Sequence, residues 1–230
     1  MNQRLVIVLV LALFTVGVCC ALRGHAQEAA APAEPTVLSL PAPDLSHPTT
    51  LEQALQERRS VRQYAAAPIT LQQASNLLWA AQGITEPTKG FRTAPSAIAR
   101  YPLRLYLVAA QVSNLPAGAY RYLPQGHQLE LVTEGDPRAS IGSQPQMTTA
   151  PALLVYAYDT TVFARFPADR GLQWACLEAG HSAQNVLLEE VALGLVGVPM
   201  GAFDPVQVKT TLKLTEVEMP LYVLSAGQRG

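Results

Sequence analysis

Apolar residues are spread along the chain in three different ways. Leu5 to Val18 is an apolar run broken only by Thr15 and Gly17. Gln27 to His47 is rich in Ala, Pro and Glu and has neither a helical nor a strand period, which is the pattern of a tether. From about residue 50 to the end the apolar positions become periodic, and they predict a folded domain. Thr50-Leu51-Glu52-Gln53 has the form of a capping box, and Leu51, Ala54 and Leu55 make an apolar stripe on a short helix ending near Arg58. Thr70-Leu71-Gln72-Gln73 repeats the device. Leu71, Ala74, Leu77, Leu78 and Ala81 share one face of a second helix, which ends at Gly83.

Strands are predicted over Leu103–Ala110 and Pro151–Tyr158, and a hairpin joins Ala119–Leu123 to Gln128–Val132 through Pro124-Gln125-Gly126-His127. The longest helix runs from about Arg170 to Leu193. Leu172, Ala175, Cys176, Ala179, Ala183, Val186 and Leu187 recur on it at three- and four-residue intervals, and Gly194 ends it. Asp204-Pro205 opens a short helix with Asp as N-cap and Pro at the first helical position. Pro220–Ser225 is the last predicted strand. Strands and helices do not alternate regularly, so the expected class is α+β, a layered sheet rather than a doubly wound one. No G-x-G-x-x-G run follows a strand, so a dinucleotide crevice is not expected.

Composition narrows the reading. Among 230 residues, apolar types make up 49% and charged types 14%, and the net charge is −1. A nucleic-acid binder needs a basic face, so none is expected as a partner. Arg4, the apolar run and Gly24-His25-Ala26 give residues 1–26 the form of an export signal cleaved before Gln27. An uncleaved anchor is the other reading, because residues 5–22 approach the ~20 residues of a membrane span. The expected organisation is thus 1–26 signal or anchor, 27–48 linker and 49–230 domain, placed outside the cytoplasm (periplasmic, if there is an outer membrane) or held at a membrane. The cysteines are Cys19, Cys20 and Cys176. Removal of the signal would leave one, and no Cys/His spacing suggests a metal site.

The most concentrated chemistry is Glu57-Arg58-Arg59-Ser60-Val61-Arg62-Gln63-Tyr64. Arginine forks bind phosphate oxygens in pairs and stay charged at any working pH. The cluster follows a helix C-terminus, whose partial charge is negative, so the side chains alone would have to supply the field for an anion. In an extended segment Arg58, Ser60 and Arg62 point to one face and Arg59 to the other. Two readings stay open at this point: an anion clamp, and solvated charges beyond a helix end.

The motif order adds a further argument. Arg58-Arg59-Ser60-Val61-Arg62 is followed by Ala94-Pro95-Ser96-Ala97 and then Tyr101-Pro102-Leu103-Arg104-Leu105-Tyr106-Leu107-Val108. Glu178-Ala179-Gly180-His181-Ser182-Ala183-Gln184-Asn185, Val198-Pro199-Met200-Gly201-Ala202-Phe203 and Pro220-Leu221-Tyr222-Val223-Leu224 come after. From about residue 50 onward this order resembles the FMN-dependent nitroreductase family, most nearly its branch of SagB-type oxidases. The resemblance implies FMN as cofactor, a nitroreductase-like layered fold with a central, mostly antiparallel sheet flanked by helices, and an intertwined homodimer. It also implies passage of hydride or two electrons, in ping-pong fashion, from a small-molecule donor to an acceptor such as a nitroaromatic or quinone. Oxidation of a peptide-derived substrate and a non-catalytic flavin- or ligand-binding role are its alternatives.

The resemblance also distributes roles. Arg58, Ser60 and Arg62, with Arg59 beside them, would hold the phosphate and ribityl chain. Pro95, Ser96 and Ala97 would reach the flavin of the other subunit. Met200, Gly201 and Ala202 would lay backbone against the ring, and Arg229 would add charge at the phosphate. No catalytic acid or base is named. His181 and Cys176 are expected as packed helix residues, and Tyr101, Tyr158 and Arg165 as candidates for the substrate side. Ile98 departs from the pattern, because relatives often have Gly there.

Overall fold

In the computed structural model the described residues are 36–230. The expected signal or anchor and residues 27–35 of the linker lie outside them. Seven strands form one antiparallel sheet: β1 (Val37–Ser39), β4 (Leu103–Ala109), β5 (Gly118–Leu123), β6 (Gln128–Glu134), β7 (Ala152–Asp159), β8 (Leu195–Met200) and β9 (Glu218–Gln228), in the spatial order β1-β6-β5-β4-β7-β9-β8. A small hairpin, β2 (Ile84–Glu86) with β3 (Phe91–Arg92), stands apart from it. The helices are α1 (Leu51–Glu57), α2 (Leu71–Gln82), α3 (Arg138–Ile141), α4 (Pro145–Thr149), α5 (Ala168–Ala192) and α6 (Pro205–Thr211). This is the layered α+β architecture that the pattern predicts, with the antiparallel centre that the resemblance implies.

Strand alternation divides the core between the two faces of the sheet. Leu103, Leu105 and Leu107 of β4 and Leu154, Tyr156 and Tyr158 of β7 pack with α2 and α5. Tyr106, Val108, Leu153, Val155 and Ala157 face the opposite way, against Ile141, Met147 and Val208 of the short helices. Both faces of β7 are therefore covered, and its sequence reads as an unbroken apolar run rather than an alternating one. Both threonine capping boxes form, at Thr50 with Gln53 and at Thr70 with Gln73. Gly194, in the left-handed conformation (φ 71°), follows the last turn of α5.

Four expectations change. First, the segment read as the end of the linker is docked: β1 pairs with β6, and Leu40 is buried. Ser75 Oγ donates to Pro41 O (2.6 Å), Gln72 Nε2 to Ala42 O (2.8 Å) and Asn76 Nδ2 to Asp44 O (2.7 Å). Three residues of strand inside an Ala/Pro-rich stretch give no periodic signal, so the sequence could not show this. Second, α1 buries only Ala54, while Leu51 and Leu55 are 60% and 54% exposed. Third, Leu195–Met200 is a strand. Gly197 and Pro199 disguise it, and a proline is tolerated here because β8 lies at the sheet edge. Fourth, Cys176 is exposed and not on the buried stripe of α5, which is completed instead by Glu178, Ser182 and Glu190.

Asn76, fully buried, ties the docked segment to the domain through Asp44 and also donates to Glu189 Oε1 (2.9 Å). Asn76→Ala is expected to lower the unfolding free energy by roughly 2–3 kcal/mol, because it removes the hydrogen bonds of a buried side chain to Asp44, Gln72 and Glu189. The shift in urea midpoint measures this.

Candidate functional site

The arginine run leaves α1 in an extended conformation and meets the outer edge of β8. Ser60 pairs with Gly197 in a parallel bridge, and Val61 N donates to Gly197 O (2.9 Å). At the other end of the chain, Arg229 follows β9 and pairs with Tyr64, while Ala65 N donates to Gln228 O (3.1 Å). These two pairings bring Arg58, Arg59 and Arg229 to one small cleft beside Leu195 and Val196. Glu57 and Glu190 share it. Arg58 is half-buried and the other two arginines are exposed. Arg59 differs from the expectation that it faces away: it lines the cleft, and its Nη1 donates to Gln56 O and Arg58 O, both at 2.8 Å, at the C-terminal end of α1. Arg62 is exposed and does not line the cleft.

Glu190 is the residue that the sequence reading missed. It is 2% exposed, and its Oε1 has no hydrogen-bond partner among the described residues. Burial pushes its carboxyl well above the ordinary range, and the Arg58 charge pulls it back only in part. A signal was available: Glu190 lies three residues after Leu187 and four after Val186, on the apolar stripe of α5.

β8 runs from this cleft to the second part of the site. Six residues of strand span about 20 Å. At the far end Met200 is buried, and Gly201 and Ala202 are exposed. Gln144 Nε2 donates to Ala202 O, and Gln146 Nε2 in turn donates to Gln144 Oε1. Asp204 caps α6 through the amides of Val206 and Gln207. A Cβ placed on Gly201 would meet nothing within 4 Å, so the backbone here is open to a flat ligand. Anion forks at one end of an open strand edge and bare backbone at the other fit an elongated cofactor with a phosphate at one pole and a ring at the other.

Pro95, Ser96 and Ala97 do not line the arginine cleft. They lie between β3 and β4, over a buried polar network. Tyr101 N donates to Ser96 Oγ (2.8 Å), and Arg92 stacks on the Tyr101 ring at 4.6 Å. Arg92 Nη1 donates to Gln82 Oε1 (2.8 Å), and Gln82 Nε2 to Glu178 Oε1 (3.4 Å). Burial raises the Glu178 carboxyl to about 7, against the lowering effects of the Ser96 hydroxyl, the Gln82 amide and the Arg92 charge. His181, expected as a packed residue, is exposed on α5. Tyr158 lines an apolar hollow of about 310 Å³ with Phe163, Phe166 and Met219, and Arg165 stacks on Phe166 at 4.9 Å.

The model of the family described as "Nitroreductase family" matches residues 55–228. The chain belongs to the nitroreductase family. Members of this family generally bind flavin (FMN), and β8 and the cleft, apart from Arg229, lie within the matched span. A protein of Methanocaldococcus jannaschii, MJ1384, provisionally named a nitroreductase, is 35% identical over 196 residues, 84% of this chain and 97% of its own length. The crystal structure of another provisionally named nitroreductase, from Ralstonia eutropha, superposes with a TM-score of 0.77 at 32% identity, covering 84% of this chain and 90% of that one. The Escherichia coli microcin synthetase McbBCD complex, solved with truncated pro-MccB17 bound, contains a chain with the same fold: TM-score 0.64, 21% identity, 87% of this chain and 77% of that one.

Ile98 adopts φ 48°, ψ 31°, and Ala99 and Tyr101 also have positive φ (54° and 50°). A branched side chain in the left-handed region is strained, whereas glycine accepts that backbone freely. Ile98→Gly is therefore expected to stabilise the protein by about 1 kcal/mol. A lower thermal midpoint in the variant would contradict this reading of the loop.

Proposed function

We propose that this nitroreductase-family protein passes two electrons from a small-molecule donor to a nitroaromatic- or quinone-like acceptor, using FMN held along the outer edge of β8. The observation that carries this reading is the convergence of Arg58, Arg59 and Arg229, from both ends of the domain, on one cleft at the start of a strand whose far end is bare at Gly201. When bound, FMN supplies the electron-transfer chemistry itself. The chain's own contribution is to anchor and orient. The arginines and the Ser60 hydroxyl hold the phosphate, and the Met200–Ala202 backbone lies against the ring. The Gln146–Gln144 pair fixes the Ala202 carbonyl so that this backbone keeps its aim.

The working unit in this proposal is a homodimer. Leu51, Leu55 and Leu177, 54–60% exposed on α1 and α5, offer apolar surface to a second copy. Pro95, Ser96 and Ala97, outside the arginine cleft of their own chain, are free to serve the site of the partner. Export is part of the proposal on the strength of the apolar run Leu5–Val18. Among the described residues no helix is long and apolar enough to cross a membrane. The Glu178–Asn185 run favours a second reading, SagB-like oxidation of a peptide-derived substrate. Assays of acceptor reduction and of peptide oxidation by the reconstituted protein separate the two.

Arg58→Ala removes charge-assisted hydrogen bonds and is expected to weaken FMN binding about ten- to a hundredfold. Arg229→Ala acts in the same direction to a lesser extent, because that residue is exposed at the chain end. Flavin fluorescence titration reads both. Unchanged affinity in Arg58→Ala would remove the arginine cleft as the phosphate site.

A further inference from the structure

The cleft holds an acid that an anion site does not need. Glu190 projects from α5 beneath the arginines and lies against Gly197, the residue that pairs with Ser60. A Cβ on Gly197 would collide with both carboxyl oxygens of Glu190 and with Ser225 O, so glycine is required there for the acid to fit. Among the described residues Glu190 Oε1 has no partner, and no ion pair joins the side chain to any arginine. An isolated buried carboxylate is costly, and it persists as an ion only beside a positive charge.

The groups that face it are few. Arg58 and Arg59, after α1, and Arg229, after β9, line the same cleft, with Glu57 at its rim. The phenols of Tyr64, between α1 and α2, and of Tyr156, on β7, both feel its charge. Tyr64 Oη is bonded to Ser225 Oγ, and Ser182 Oγ donates to Tyr156 Oη (3.3 Å), so both hydroxyls have partners of their own. Arg58 is the cation that lowers the Glu190 carboxyl.

Building on the FMN reading above, we propose that Glu190 is an internal rival of the bound phosphate for Arg58, so that the cofactor is held at full strength only while Glu190 carries a proton. A phosphate in the cleft engages Arg58 and adds negative charge of its own. Both effects disfavour the Glu190 carboxylate. The complex therefore binds a proton more tightly than the free protein does. By linkage, affinity is fully present at pH below the ionisation of Glu190 in the free protein, and it is lost as pH rises through its ionisation in the complex. Glu190 is a positioning residue in this account: it acts through Arg58 and touches no reacting atom.

The test is FMN affinity, by flavin fluorescence, in the wild-type protein and in Glu190→Gln from about pH 5.5 to about pH 9. The ionisation of FMN's own phosphate, near 6, affects both proteins alike and cancels in the ratio of their dissociation constants. That ratio, wild type over variant, is expected to climb with pH by about tenfold or more, at a limiting slope of about tenfold per pH unit for one linked proton. A ratio that stays constant across the range would overturn the proposal while leaving the FMN reading intact. Should Glu190→Gln not fold, calorimetric titration of the wild-type protein with FMN in two buffers of different ionisation heat counts protons directly. Net uptake approaching about one proton per FMN on the alkaline side supports the proposal, and no uptake at any pH overturns it. Failure of both FMN and inorganic phosphate to bind at any pH would overturn this proposal and the FMN reading together.

Discussion

The candidate site depends on one backbone pairing, the parallel bridge between Ser60 and Gly197. β8 is the last strand of the sheet, and its outer edge would otherwise offer unpaired amides and carbonyls to any passing strand. The arginine segment covers that edge at Gly197, and the cover is also the functional element. Arg58 and Arg59 are thereby held beside the sheet edge rather than displayed on a loop. Arg229 joins them because Tyr64, four residues after Ser60, pairs with the residue that follows β9. A short run of sequence thus ties the start of the domain to its end, and the cleft is what lies between.

The constraint has a cost. Two of the domain's buried carboxyl groups, Glu178 and Glu190, lie where burial favours the protonated form. Each lies behind a segment that the family resemblance assigns to the cofactor: Glu178 behind Pro95–Ala97, and Glu190 behind the arginine cleft. Both are unfavourable for stability in the sense that an apolar residue of similar size would not need a partner. Strain is stored in the same region, at Ile98, Ala99 and Tyr101. Local costs of this kind are found where a structure is organised around a ligand and not only around its own core.

The sequence disclosed the fold wherever one residue pattern had one physical outcome. The Thr50 and Thr70 capping boxes, the apolar run of β7 and the Pro124–His127 hairpin each formed as their spacing implies. Where two effects compete, the pattern was blind. Gly197 and Pro199 are poor strand residues, and Leu195–Met200 is a strand through its pairing with β9 at the sheet edge, where the proline is tolerated and the glycine leaves room for Glu190. Val37–Ser39 is too short to show a period and is held by partners on α2 and β6 that lie far away in sequence. For the site, the arginine run was legible as charge, but its geometry was not. Arg59 shares the cleft with Arg58, and Arg62 does not. Glu190 was legible in principle, as an acid on an apolar stripe.

The central claim is that the outer edge of β8 is a cofactor cradle with its anion pole at Arg58, Arg59 and Arg229. The most direct measurement is the visible absorption spectrum of the purified protein, taken before and after incubation with FMN and removal of the excess. The account predicts flavin bands that persist at about one FMN per chain, a stoichiometry set by one cleft and one open strand edge in each copy. A colourless protein that returns all the added FMN would contradict it.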